Sequence, residues 1–337
     1  MPNLRKLLFP FSLIYHGVTE VRNQLYDAGI LKSTRYDIPI IAVGNLNMGG
    51  TGKSPMIEYL IEILEKDHIV ACLSRGYKRE SEGFQLVEIS DSVAKSGDEP
   101  LQFKNKFPET FVAVDANRRE GIEELKKYSP DLILLDDAFQ HRKVQAGLYI
   151  LLTAFGDLYT DDFVLPTGNM RESSKGAERA QIIIVTKCPD DLSSSEMSRI
   201  RKKLKPSLDQ SVFFSSIKYA GKIISTKEEL ALNDIEASDF VLVTGIAKPK
   251  PLIEFLGSKN IELEHFKFPD HHNFTEKEIS KLKEASKILT TEKDYMRLKD
   301  KLPLEKLYYL PIEVEFLDHG KADFDKKIMA YLNEKEV

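Results

Sequence analysis

Beyond residue 35 the chain alternates short apolar runs with longer stretches whose apolar residues recur every three or four positions. Short runs rich in Val, Ile and Leu read as buried strands, and the longer spacing reads as helices packed along one face. Strands are predicted at residues 38–43, 69–73, 110–114, 132–136, 149–153 and 181–186, with helices after Lys53 and Arg118 and across 195–204. A second series falls at 240–244, 262–268, 287–290 and 306–315, again with helices between. Such alternation predicts parallel α/β architecture. Between the two series, two strand-like pieces flank Tyr219-Ala220-Gly221-Lys222, which reads as a hairpin joining two lobes. The expected organisation is a leader over residues 1–35, a first α/β domain over 36–210, a two-stranded linker over 211–226 and a second, smaller α/β domain over 227–337. At 337 residues the chain exceeds the usual size of a single core, which agrees with two domains.

The leader has its own pattern. Leu4, Leu7, Leu8, Phe11, Tyr15, Val18 and Leu25 recur at helical spacing, with Ile14 and Val21 beside the stripe. Arg5, Lys6, Arg22, Lys32 and Arg35 outnumber Glu20 and Asp27, reversing the sign of the whole chain, whose formal net charge is −5. The apolar run is shorter than the roughly 20 residues needed to span a bilayer. No small-residue cleavage pattern of a secretory signal follows it. Two readings stay open at this level: a basic, apolar-faced helix lying in a membrane interface, or an ordinary amphipathic helix packed on its own domain. The acidic balance of the chain argues against nucleic acid as a partner. Cys72 and Cys188 are too few and too isolated for a disulfide framework or a zinc site, and both fall in apolar runs as small core residues.

Candidate chemistry starts at Gly44-Asn45-Leu46-Asn47-Met48-Gly49-Gly50-Thr51-Gly52-Lys53-Ser54, between the first predicted strand and an apolar helical pattern. Strand, glycine-rich turn and helix N-terminus form the context in which backbone N–H groups cradle phosphate oxygens. In such a P-loop, Lys53 reaches the terminal phosphates and the Ser54 hydroxyl serves Mg²⁺. Asn47 stands where the pattern has its first glycine, and asparagine tolerates left-handed backbone better than most residues. A P-loop alone does not separate a kinase from a nucleotide switch. Guanine-specific proteins carry Asn-Lys-x-Asp after a late strand; here the place reads Thr186-Lys187-Cys188-Pro189, which favours adenine.

Acidic pairs follow. Asp136 and Asp137 end an apolar strand, the place where P-loop proteins hold Mg²⁺, although paired acids there also serve as turn residues. Asp98 and Glu99 precede Pro100, so Asp98 reads equally well as a helix cap. Arg75, Tyr77 and Arg118 follow other predicted strands as candidate phosphate contacts, and Gln140 lies in the hydrogen-bonding loop after Asp137. In the second series, His271-His272 invites a zinc reading but lacks further ligands at metal spacing, and the helix near Thr275 offers a capping role instead. Thr291-Glu292-Lys293-Asp294 reads as a turn and helix start.

In order along the chain, the phosphate loop through Pro55, Ser74-Arg75-Gly76-Tyr77, Gly97-Asp98-Glu99-Pro100, Leu135-Asp136-Asp137-Ala138-Phe139-Gln140-His141-Arg142, Asp270-His271 and Thr291-Glu292-Lys293-Asp294 resemble the tetraacyldisaccharide 4′-kinase family of Gram-negative bacteria. The resemblance implies a P-loop domain, a second smaller α/β domain and an N-terminal membrane-associated helix. It implies transfer of the ATP γ-phosphoryl group to the 4′-hydroxyl of the lipid A disaccharide precursor, at the cytoplasmic face of the inner membrane. Matched residue by residue, it places Asn47, Met48, Gly49, Gly50, Thr51, Gly52, Lys53 and Ser54 at ATP. It places Ser54, Glu99, Asp136 and Asp137 at Mg²⁺, Asp98 as general base with His271 as its partner, and Arg75, Tyr77, Arg118 and Gln140 in support. Ser54 stands for a commoner threonine and Ala138 for a commoner glycine. The sequence names no protein partner.

Overall fold

The computed structural model describes residues 5–334; Leu4 of the leader stripe, the rest of residues 1–4 and residues 335–337 lie outside it. Strands β1 (Ile40–Asn45), β2 (Val70–Ser74), β3 (Gln85–Leu86), β4 (Phe111–Val114), β5 (Leu132–Leu135), β6 (Leu148–Ala154), β7 (Ile182–Thr186) and β8 (Ser211–Tyr219) come first along the chain. Then follow β9 (Lys222–Ile224), β10 (Glu229–Ala231), β11 (Phe240–Thr244), β12 (Glu264–Lys267), β13 (Lys287–Thr291), β14 (Leu307–Leu310) and β15 (Ile312–Phe316). One sheet has the order β15-β8-β7-β6-β1-β5-β2-β4-β3, the other β10-β9-β14-β13-β11-β12. In the first, β4 through β8 run parallel and only β3 and β15 are antiparallel, at the two edges.

Strands β1, β2, β5 and β7 are buried along their whole length, which is why they read as continuous apolar runs without alternation. Helix Lys53–Leu64 covers one face with Met56, Ile57, Leu60 and Leu64, while helix Arg118–Lys126 brings Ile122 and Leu125 to the other. Sequential strands on either side of β1 open a crevice at their carboxyl ends, the place where ligands bind in such sheets.

Three expectations are corrected. The pieces around Tyr219-Ala220-Gly221-Lys222 do not pair with each other: β8 lies between β7 and β15 in the first sheet, and β9 pairs with β10 and β14 in the second. The single strand expected over 306–315 breaks at Pro311, which lacks the N–H a continuous ladder requires. Its first half, β14, stays in the second sheet, and its second half, β15, returns to the first. Helix Gly320–Asn333 then packs Phe324, Ile328 and Leu332 into the first core, so the segment after Pro311 belongs with the first lobe and not with a domain running to the C-terminus. The chain thus crosses between the sheets twice, after β8 and before β15, and these two strands pair antiparallel from Phe316↔Ser215 to Ile312↔Tyr219.

The leader forms helix Phe9–Asp27, docked by its polar side. Ser12 and Asn23 are its buried residues. Ser12 Oγ donates to Thr167 Oγ1 at 2.8 Å, Asn23 Nδ2 to Glu172 Oε2 at 2.7 Å, and the Tyr15 hydroxyl to the Arg171 carbonyl at 2.8 Å. Leu7, Phe11, Leu13, Ile14, Val18 and Val21 face outward, each more than half exposed. An ordinary surface helix does the reverse. Among the described residues no helix is long and apolar enough to cross a membrane.

Candidate active site

The phosphate loop leaves β1 and ends at the N-terminus of helix Lys53–Leu64. Its positive φ angles fall at Gly49 (123°) and Gly52 (84°), conformations L side chains rarely adopt. Asn47 is not among the left-handed residues; it is buried and bridges to Met170, while Met48 N donates to Asn169 O at 2.7 Å. Asparagine is therefore accommodated here by ordinary backbone, and the left-handed turn lies at glycines further on. Thr186 Oγ1 donates to Thr51 O at 2.7 Å and Lys187 Nζ to Gly50 O at 2.7 Å, so the end of β7 braces the loop. Met48, Gly49 and Gly50 are exposed, which leaves the backbone of the turn open to a ligand.

Carboxylates surround it. Ser54 Oγ donates to Glu99 Oε1 at 2.6 Å. Asp136, at the end of β5, accepts from Ser74 Oγ at 3.0 Å through Oδ2, while its Oδ1 is buried with no partner. Burial, reinforced by the charges of Glu99 and Asp137, pushes Asp136 up to about 7. Asp137, in left-handed backbone, lies 3.7 Å from Lys53 Nζ and 2.8 Å from Arg171. Burial raises its pKa, but those two cations outweigh it and hold Asp137 below the ordinary carboxylate range. Among the described residues no three His, Cys, Asp or Glu side chains form a closed metal cage. That suits Mg²⁺, which takes one or two carboxylates together with phosphate oxygens and water. The buried, unpartnered Asp136 Oδ1 is the group here that a divalent cation would satisfy.

The support residues differ among themselves. Arg118 is buried and donates to the carbonyls of Asp115 at 2.5 Å and Asp136 at 2.8 Å, so it ties two strand ends together. Burial brings it down to about 10. Gln140 Nε2 donates to Asn45 O at 2.9 Å and Glu172 Oε1 at 3.0 Å. Arg75 and Tyr77 are exposed at the rim, and the Tyr77 ring meets His271 edge-on at 5.7 Å.

His271 belongs to the other sheet's loops, after β12, yet its Nδ1 lies 3.0 Å from Asp98 Oδ2. His272 turns elsewhere, stacking on Phe268 and contacting Glu278 Oε2 at 2.9 Å, so the two histidines share no ligand position. Glu278 also completes a capping box with Thr275, the role expected at that helix start. Helix Glu292–Leu298 brings Lys293 Nζ to Glu99 Oε1 at 2.5 Å and Arg297 onto Asp98. Burial raises the Asp98 pKa, but the polar contact with His271 and the Arg297 and Lys293 charges outweigh it and hold the carboxyl far below its usual range. A phosphate loop, three acids beside it and a carboxylate–histidine contact from opposite lobes thus share one crevice.

The profile of the tetraacyldisaccharide-1-P 4′-kinase family, LpxK, matches residues 4–333. The chain belongs to this family. It is 52% identical over 336 residues to a tetraacyldisaccharide 4′-kinase of Flavobacterium johnsoniae, covering 98% of each chain. A kinase of the same description from Bacteroides thetaiotaomicron is 43% identical, over 98% of this chain and 94% of that one. Among solved structures, LpxK from Aquifex aeolicus in complex with ATP superimposes with a TM-score of 0.79 at 30% identity, over 98% of this chain and 99% of that one.

For a kinase of this family, sequence reading overlooked several groups that the fold delivers to the crevice. Arg171 pairs with Asp137, and Glu172 ties Asn23, Gln140 and Arg179 together. Arg297 was invisible as well. Its one signal is spacing: Lys293 and Arg297 stand four apart on a helix, so both reach the same side.

Proposed function

We propose that this kinase transfers the γ-phosphoryl group of ATP to the 4′-hydroxyl of the lipid A disaccharide 1-phosphate precursor, giving lipid IVA, with the crevice residues in the following roles. The backbone of residues 47–54 cradles the ATP phosphates, and Lys53 neutralises charge on the group in transit. Ser54, Glu99, Asp136 and Asp137 would hold Mg²⁺, which supplies charge neutralisation when bound. Asp98 accepts the proton of the attacking hydroxyl, and His271 orients Asp98 or receives that proton. Arg75 and Tyr77, at the open rim, face the acceptor; Arg118 and Gln140 hold the strand ends and loop on which the acids sit.

The observation that carries this reading is the 3.0 Å contact between Asp98 and His271, which come from opposite lobes and meet beside the Glu99–Ser54 pair. Chemistry that requires both lobes begins only once they enclose the reactants.

We further assign the docked leader helix to the membrane surface, at the cytoplasmic face of the inner membrane. Its outward apolar row and basic residues fit the headgroup boundary, where the acyl chains of such an acceptor remain. Residues 36–219 with the returning segment 312–333 form the phosphate-loop lobe in this reading, and residues 222–310 the second lobe.

The test is transfer of label from γ-labelled ATP to the lipid A disaccharide precursor, separated by thin-layer chromatography. A labelled 4′-phosphorylated product that requires Mg²⁺ supports the assignment. Slow ATP hydrolysis with no labelled lipid would point to a nucleotide switch instead.

A further inference from the structure

The hydrogen bonds of Arg297 bear on where the His271 imidazole carries its proton, which the Asp98–His271 distance alone leaves open. A guanidinium has five N–H donors and no acceptor. At Arg297, Nε–H meets Asp98 Oδ2 at 3.1 Å, and one Nη2–H meets the same oxygen. One Nη1–H meets Asp294 Oδ1 at 2.7 Å and the other meets Gly245 O at 3.1 Å. The remaining Nη2–H faces His271 Nδ1 at 2.9 Å. All five donors find acceptors only if Nδ1 offers its lone pair. If Nδ1 carried the proton and donated to Asp98, a buried guanidinium N–H would face an imidazole N–H, and a buried donor left without a partner is costly. Asp98 Oδ2 keeps two donors, both from Arg297, and the guanidinium that touches both atoms offsets the 3.0 Å contact then left between the Oδ2 and Nδ1 lone pairs.

Arg297 also shares the anchor of the histidine backbone. His271 adopts φ of 55°, and its N–H donates to Gly245 O at 3.1 Å, the same carbonyl that Nη1 engages. Asp294 closes the circuit by accepting from Gly245 N at 2.8 Å. The guanidinium is buried and held on every edge. Nε2 makes no hydrogen bond among the described residues, so a proton there remains free to donate.

We propose that Arg297 is the positioning residue of the Asp98–His271 pair, fixing the imidazole as the tautomer protonated on Nε2. His271 then donates Nε2–H into the cleft, toward a phosphoryl or hydroxyl oxygen of the reactants. Its Nδ1, occupied by Arg297, is not the receiver of the proton taken up by Asp98. The inference rests on the reading of Asp98 and His271 as the catalytic pair and chooses between the two roles that reading allows for histidine.

Histidine-selective nitrogen labelling of the full chain, with long-range proton–nitrogen correlation spectra near neutral pH, reads the tautomer; a His271→Gln variant assigns the signals. The expected wild-type result is a protonated Nε2 and an acceptor-type Nδ1. In Arg297→Gln the proton moves to Nδ1, facing Asp98. A wild-type His271 protonated on Nδ1, or a folded Arg297→Gln variant with the wild-type tautomer, overturns the proposal. Arg297→Lys keeps the charge without the fork, so kcat should fall about tenfold or more while KM for ATP changes less than about threefold. Wild-type kcat in Arg297→Lys overturns it too. The underlying pair reading fails separately, through near-normal turnover of Asp98→Ala or His271→Ala, and the wild-type tautomer is measured independently of either.

Discussion

Lys53 lies within 3.7 Å of Asp137, and Arg171 reaches the same carboxylate at 2.8 Å, so the ammonium is held near the loop by an acid it shares. Its charge is the group in the loop able to follow the phosphoryl in transit. Lys53→Ala should lower kcat by about a hundredfold to a thousandfold, the range for removing one preorganised charge or donor from a transition state. Turnover within a few fold of wild type in a folded variant would remove Lys53 from the mechanism. Asp98 and His271 should behave as one unit. Each alanine variant is expected to lose kcat strongly, and the double variant to be little worse than the poorer single. Losses that multiply in the double variant would mean two independent roles.

At the scale of elements, the leader helix separates anchoring from surface function along its two sides. Its polar side carries the hydrogen bonds of Ser12, Tyr15 and Asn23, and its apolar side carries exposed Phe11, Ile14 and Val18. Converting Phe11, Ile14 and Val18 together to glutamate should abolish sedimentation with anionic liposomes and reduce turnover of bilayer-embedded acceptor. Because these residues touch little of the protein, thermal stability should change by only about 0.5 kcal/mol per site. Unchanged liposome binding by the folded triple variant would dismiss the helix as the membrane dock. A large drop in melting temperature would mean that these residues pack in solution.

Across the whole molecule, a cluster of two buried carboxylates and one partly exposed lysine couples the lobes behind the crevice. Lys106 Nζ lies 2.7 Å from Glu58 on the phosphate-loop helix and 3.2 Å from Glu292 on the second lobe's helix. One ammonium faces two buried carboxylates, so a single positive charge cannot compensate both. Burial, with the repulsion of Glu58, raises Glu292 to about 7 despite Lys106. The native state therefore retains a proton that the unfolded chain has released between the ordinary glutamate value of 4.5 and about 7. Native proton binding exceeds unfolded binding in that window, so this group's contribution falls as pH rises through it. Glu292→Gln should accordingly be stabilised relative to wild type near pH ~8, by on the order of 1–3 kcal/mol, with the difference shrinking toward pH ~5. Melting temperatures at both pH values check the sign; a gap that grows on acidification would refute it.

The sequence alone determined what local order can specify. Buried parallel strands read as unbroken apolar runs, and a glycine-rich turn before a helix N-terminus needs no distant partner to be recognised. The order of motifs from Gly44 to Asp294 carried the family resemblance for the same reason. Tertiary structure decided the rest. Asp98 and His271 are 173 positions apart, and no local pattern distinguishes that aspartate from a helix cap. The strand-like pieces on either side of Gly221 have the composition of a hairpin, but backbone partners in separate sheets outcompete their own pairing. Pro311 marked a break without revealing that the chain changes sheets there. Apolar spacing in the leader announced a helix; which side faces the protein was set by polar groups of the loop around Val164–Glu172. Nothing local marked Arg297; only folding gave its guanidinium five close polar contacts, on Asp98, Asp294, Gly245 and His271, because desolvation makes such partners obligatory.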